Sequence, residues 1–410
     1  MPEFLTLLPP ADALNRFLDH LPADPVPEET ETCLALGRVT VSPTLAPHPL
    51  PAFPRSSMDG YAVRAADTYG ASESLPAYLD LAAEVPMGAS PDFRLTPAQG
   101  ALIHTGGMLP EGADAVVMVE DTQSARAGEV EILRAVAVGE NVIKVGEDVK
   151  LGQEVIPAGT RLRPAEIGGL MALGITRIPV ARRPLVGILS SGDEVIPPEQ
   201  QPAPGQVRDV NSYTLSALVE RTGGVAVRYG IIPDTRAAML AAISRAHREC
   251  DMVIVTAGSS ASSRDLTAEV IDQIGAPGVL VHGVNVRPGK PTILAVCDGR
   301  AMVGLPGNPV SALVIASLFV VPALRALLGE NQVRPQPTVP AHLTVNFASQ
   351  TGREQWLPVR LIPSPAGYQA DPIFGQSNLI FTLARADGLV RIPAAATGLE
   401  AGEAVEVVVF

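Results

Sequence analysis

Apolar and polar positions change period several times along the chain, and each change predicts a different kind of element. Residues 10–21 set Leu14, Phe17, Leu18 and Leu21 on one face at helical spacing, which predicts an amphipathic helix. From about 45 to 144, short β-like runs such as Gly100–His104 and Ala113–Glu120 lie between Pro and Gly turns. That pattern predicts a small β-rich domain. Leu151–Leu162 reads as a hairpin around Pro157–Gly159, and Pro164 opens a helix that stops near Gly174.

Between about 183 and 330 the period alternates. The runs Leu185–Leu189, Val225–Tyr229, Met252–Thr256 and Val279–Val281 are separated by helical stretches near 211–222, 235–248 and 266–274. Strand–helix alternation predicts a mostly parallel sheet flanked by helices, with ligands bound beyond the carboxyl ends of the strands. Ser311–Leu324, about 14 residues with Pro322 inside it, is too short for a membrane span and reads as a buried helix. The last 80 or so residues return to short strands and end in Ala404–Phe410. The fold expected is therefore mixed and multi-domain: a central α/β domain, a β-rich second domain, a mixed linker domain and a small C-terminal β domain. The boundaries read as 1–44 plus 145–182, 45–144, 183–330 and 331–410.

Composition narrows the function. The chain has 410 residues, 18% charged and 47% hydrophobic, with 37 glycines, 39 prolines and a formal net charge of −13. Only 4% is aromatic, so stacking on nucleic-acid bases has little material. The acidic balance also argues against phosphate backbones and anionic membranes as partners. Cys33, Cys250 and Cys297 are far apart and odd in number, which fits neither a disulfide framework nor a structural zinc site. No basic residue precedes Arg16, so no secretory signal is expected and the cytoplasm is the expected compartment.

Candidate chemistry follows the strands. Ser190–Glu194 comes after the first apolar run, and Ala257–Asp265 after the third. Gly258, Ser259 and Ser260 leave backbone N–H groups open to an anion at a helix start. A plain connector with Asp265 as helix cap is the structural alternative. Arg287 and Lys290 stand three residues apart on a turn stiffened by Pro288, Gly289 and Pro291, suited to an oxyanion unless the turn is merely solvated. Pro306, Asn308, Pro309 and Ser311 mark a fixed helix entry. Polar tips recur at Asp59, at Thr105 and at Asp148, where an Asx turn is the ordinary use. Carboxylates beside an anion site suit Mg²⁺, which reverses the local charge logic. No HExxH, GxSxG or Walker A pattern occurs.

Taken in order, Pro54–Ala62, Thr105–Met118, Gly146–Asp148, Ser191–Glu194, Arg287–Pro291 and Gly304–Ser311 resemble the molybdopterin molybdenumtransferase family, which includes MoeA and the gephyrin E-domain. The register runs from about residue 50 to 385. The resemblance implies a four-domain homodimer with a molybdopterin-binding α/β domain and a C-terminal β-barrel-like domain. It implies insertion of molybdenum from molybdate into adenylylated molybdopterin with release of AMP, assisted by Mg²⁺ or a similar ion. By motif, Asp59, Thr105 and Asp148 come from one subunit, and Glu194, Asp234, Asp265, Arg287, Lys290, Pro306 and Pro309 from the other. Ser377, in Phe374–Asn378, approaches from the last domain. Asp59, Glu194, Asp265 and Lys290 are implied as catalytic, with Asp265, Glu194 and Asp59 as metal ligands. A molybdopterin adenylyltransferase is an expected partner. The family loop that often reads Gly-Gly-Val-Ser-Val-Gly is replaced here by Ala257–Asp265, with Arg264 as an added cation. An inactive scaffold paralogue and an adenylyltransferase-like nucleotide-binding enzyme are the other readings.

Overall fold

A computed structural model describes residues 7–257, 261–332 and 334–410, without side-chain detail at 125, 257 and 261–265. The chain forms two compact units. One takes the chain up to Ser42, Ala158–Ile167 and Arg177–Phe410; the other takes Pro43–Pro157 and Gly168–Thr176.

In the second unit, Ala115–Met118, Gly60–Val63, Gln99–Ile103, Ala77–Glu84, Glu129–Ile132 and Thr122–Arg126 form a six-stranded sheet in that order. Side chains alternate across it. Ala115 and Val117 pack on one face with Val63, Leu79 and Ile132, while Val116 faces Ala62, Ala101 and Ile103 on the other. This is the β-rich domain expected in the fold. The hairpin expected over Leu151–Leu162 does not form: Glu154–Ile156 pairs instead with Thr44–Leu45. Pairing there is settled by a segment about a hundred residues away, which no local turn signal can report.

The first unit is built on a six-stranded sheet in the order Val225–Ile232, Leu185–Ser191, Met252–Ala257, Arg300–Pro306, Ile293–Cys297 and Pro277–His282. The first four strands are parallel and the last two join antiparallel, so the expected mostly parallel sheet is present. Leu215, Val219, Ile315 and Phe319 cover one face, joined by Ala13 and Phe17 of the N-terminal helix Pro10–Leu18. Met239, Ile243, Val270 and Ile271 cover the other.

The apolar helix is longer than its sequence pattern suggested. It runs Pro309–Leu327, 19 residues, long and apolar enough by length and composition to cross a membrane. Its Ala312, Ile315, Ala316, Phe319, Ala323 and Leu324 are fully buried against the sheet, as in a core helix. Pro322 offers no N–H to the carbonyl of Leu318, and the helix widens to a π turn over Ala316–Val320 just before it.

At the C-terminus, Glu354–Ser364, Gly367–Pro372, Thr338–Leu343, Ala404–Val409 and Gly388–Ile392 close into a five-stranded barrel. Closure follows because Glu354–Ser364 pairs with both Gly367–Pro372 and Gly388–Ile392. Val286–Arg287 of the α/β region lies parallel to Glu354–Gln355. That short pairing sets the basic turn against the barrel.

Candidate functional site

The basic turn is held by its own backbone. Val284 N–H donates to Lys290 C=O at 2.9 Å and Gly283 N–H to Thr292 C=O at 2.8 Å. Thr292 Oγ1 donates to Gly289 C=O at 2.7 Å. Gly289 has φ +112°, and a Cβ there would stand 2.2 Å from Ile315 Cγ1. No other residue lets this turn press so closely on the helix. The turn opens on a cavity of about 750 Å³ between the α/β region and the barrel. Arg287, Lys290 and Arg353 line it together with Gln355, Gln376 and Ser377, and no Asp or Glu is among its lining residues. None of the three cations forms an ion pair among the described residues. Within a chain of net charge −13, this is a locally acid-free basin for an anion.

Ser377 is tied to the helix entry. Asn308 Nδ2 donates to Ser377 Oγ at 2.9 Å, and Val310 N–H donates to Ser377 C=O at 3.0 Å. Because Oγ accepts from Asn308, its own O–H proton is left to donate to a ligand. Gly307 and Asn308 also wall a second chamber of about 560 Å³, lined by Ser190, Ser191, Glu194, Arg208, Asp209, Asn211, Pro309 and Asn378. Asp209 accepts from Ser212 N–H and Oγ at the start of the helix Asn211–Thr222, and Asn211 Nδ2 donates to Gly307 C=O at 2.7 Å. Two chambers thus share one rigid partition.

The acids gather at the end of the strand Leu185–Ser191. Asp234 N–H donates to Asp193 Oδ1 at 3.3 Å. Burial holds the Asp234 carboxyl above its ordinary range, and the charges of Asp193 and Glu194 push the same way, while the facing Ser191 hydroxyl opposes them. Asp234 Oδ1 and Ser191 Oγ are buried and complete no hydrogen bond of normal geometry. Hard oxygens crowded and unsatisfied in this way suit a divalent cation. Among the described residues, no three His, Cys, Asp or Glu side chains already converge as a metal-ligating group.

In the second unit, Asp59 Oδ1 accepts from Thr105 N–H at 2.7 Å and from Thr105 Oγ1 at 3.2 Å, with His104 Nδ1 at 3.7 Å. The backbone hydrogen bond from Thr105, then its hydroxyl, hold the Asp59 carboxyl below its ordinary range. Asp148 lines a separate hollow of about 650 Å³ with Glu147 and Lys150. No described hydrogen bond or ion pair links it to Asp59.

Of the residues expected from sequence, Arg287, Lys290, Pro306, Asn308 and Ser377 therefore share the larger cavity. Glu194, Asn308 and Pro309 share the smaller, and Asp59 meets Thr105. Gly258, Ser259, Ser260 and the Asp265 carboxylate lie outside the described residues. Arg353, Trp356, Phe347 and Phe374 of the larger cavity, and Arg208, Asp209 and Asn211 of the smaller, were not among the sequence candidates.

Three family models match the chain: the MoeA N-terminal region (domain I and II) at residues 8–174, a probable molybdopterin binding domain at 187–326, and the MoeA C-terminal region (domain IV) at 340–410. A molybdopterin molybdenumtransferase of Nostoc is 36% identical over 324 residues, 78% of this chain and 74% of that protein. One from Bacillus subtilis is 31% identical over 380 residues, 92% and 88% of the two chains. A crystal structure of a molybdopterin biosynthesis MoeA protein from Pyrococcus horikoshii superposes with a TM-score of 0.86 at 31% identity, covering 99% of this chain and 100% of that one. With its motifs, its domain matches and its fold in agreement, the chain belongs to the molybdopterin molybdenumtransferase family of transferases.

Proposed function

We propose that this chain inserts molybdenum from molybdate into adenylylated molybdopterin and releases AMP. The observation that carries the reading is the acid-free cavity with Arg287, Lys290 and Arg353, walled by Asn308 from a second polar chamber. A tetrahedral dianion such as molybdate is met there by three unpaired cations and the free O–H of Ser377. The dithiolene sulfurs of the pterin are the ligands molybdenum needs, so no side-chain nucleophile is required. The cations stabilise the charge that develops on the departing phosphate.

Asp234, near Asp193 and Glu194 though not converging with them as a ready ligand set, is the described carboxylate suited to draw in Mg²⁺ or a similar ion, because Asp234 Oδ1 is buried without a hydrogen-bond partner. Such an ion neutralises phosphate charge on the anhydride when bound. Asp265 and Asp59 remain ligand proposals resting on motif. Likeness to the molybdenumtransferases also supports a cytoplasmic homodimer served by a molybdopterin adenylyltransferase. The test supplies purified protein with adenylylated molybdopterin, molybdate and Mg²⁺, and follows molybdenum insertion and AMP release. Neither product rising above the protein-free control would overturn the reading.

A further inference from the structure

The larger cavity is too big for its anion. A four-oxygen oxyanion displaces on the order of 100 Å³, judged from about 30 Å³ per water. The cavity holds about 750 Å³, within the range of about 300–1,000 Å³ typical of whole organic ligands. Its remaining wall is aromatic. The chain has one Trp, six Tyr and nine Phe, yet Trp356, Phe347 and Phe374 all line this one cavity. Phe347 and Phe374 stack at 6.0 Å between centroids with 24° between planes. Phe347 packs back onto the barrel core, while Phe374 leaves 67% of its surface exposed. Trp356 has its N–H satisfied by Glu354 Oε1 at 2.9 Å, so its ring is an apolar wall.

We propose that Phe374, backed by Phe347, is a stacking platform for a flat heteroaromatic ring whose attached anion reaches Arg287, Lys290 and Arg353. The arrangement pairs a sequence-tolerant π-face with charge. It rests on the proposed function in that the substrate offers two such groups, a pterin and an adenine, each bearing phosphate. Exposure of Phe374 gains its reason: the ligand covers the apolar face that water otherwise meets.

The experiment titrates full-length protein with pterin-6-carboxylate, read by fluorescence quenching, and with AMP and inorganic phosphate, read by calorimetry. Phe374→Ala should weaken a ring-bearing probe about tenfold, the scale of one stacked ring. Phe374→Leu, which keeps apolar bulk without the π-face, should fall between, and phosphate binding should not change. Loss confined to pterin-6-carboxylate assigns the pterin; loss confined to AMP assigns the adenine. Equal binding of both ring probes by wild type and Phe374→Ala overturns the platform, provided thermal melts show both folded. Molybdenum insertion by wild type is measured alongside. If insertion is present and ring binding ignores Phe374, the platform falls and the function stands. If insertion is absent while ring binding needs Phe374, the function falls and the platform stands.

Discussion

Two regions of the first unit handle charge in opposite ways. Around Arg287, Lys290 and Arg353, cations line a cavity with no acid among its walls. At the end of the strand Leu185–Ser191, Asp193, Glu194 and Asp234 crowd together, and Asp234 is pushed above the ordinary carboxylate range. Each region gathers charge of one sign, which favours an anion in one and a cation in the other. Net charge, an average over both, conceals the separation. The physical lesson is that unsatisfied charge of one sign, kept rigid, specifies the sign of what binds.

Inverting the basin gives the largest expected effect. Lys290→Glu puts an acid into the acid-free cavity and should lower molybdate-dependent AMP release by roughly 100-fold or more, the scale of removing one preorganised donor to developing charge. Lys290→Arg should stay within about tenfold of wild type, because charge is kept and only geometry changes. Steady-state kinetics at saturating pterin checks both. If the glutamate variant kept wild-type turnover, the cavity would not be the anion basin.

The acid region should respond with opposite signs in function and stability. Asp234→Asn removes a charge that burial and its neighbours disfavour. With a carboxyl raised in the folded state, stability is present below the ordinary value of 3.8 and is lost as pH rises through the folded value. At neutral pH the asparagine variant should therefore melt about 1–3 °C higher. It should also need roughly tenfold more Mg²⁺ for half-maximal activity. A variant that melts lower, with unchanged Mg²⁺ demand, would remove the contrast between the regions.

The partition between the chambers comes next. Asn308→Ala removes the donor to Ser377 Oγ without adding charge to the cavity. Its molybdate KM should rise about three- to tenfold with kcat nearly kept. A kcat loss without a KM change would place Asn308 in the chemistry rather than in holding Ser377.

How much of this was readable beforehand depended on sequence distance. Arg287 and Lys290 were legible because a strand, a proline-stiffened turn and two cations are local signals. Phe347, Arg353 and Phe374 were not, since long-range contacts such as the pairing of Val286–Arg287 with Glu354–Gln355 bring the barrel to the turn. One local signal was passed over. Asp298-Gly299 joins Ile293–Cys297 to Arg300–Pro306 with φ of +50° and +79°, the two positive values a tight hairpin needs. Both strands lie in the core of the central sheet, and neither is among the apolar runs expected from sequence. The acids at 193, 194 and 234 were visible as residues, but their crowding comes from adjacent parallel strands.

The smallest expected effect serves as the control for the acid region. Asp59 is a carboxylate whose needs are already met, by Thr105 N–H and Oγ1. Its pKa is lowered rather than raised, so the sign reverses: its stability contribution is present above the ordinary value of 3.8 and is lost as pH falls. Asp59→Asn should lower the melting temperature at neutral pH by about 1 °C or less, because the group is exposed and solvent screens it. Both gaps from wild type should close on acidification, but with opposite sign at neutral pH, Asp59→Asn melting below wild type and Asp234→Asn above it. Melting curves of both variants from strongly acid to neutral pH make the comparison. Gaps of the same sign at neutral pH would mean that satisfied and unsatisfied carboxylates are not distinguished in this protein.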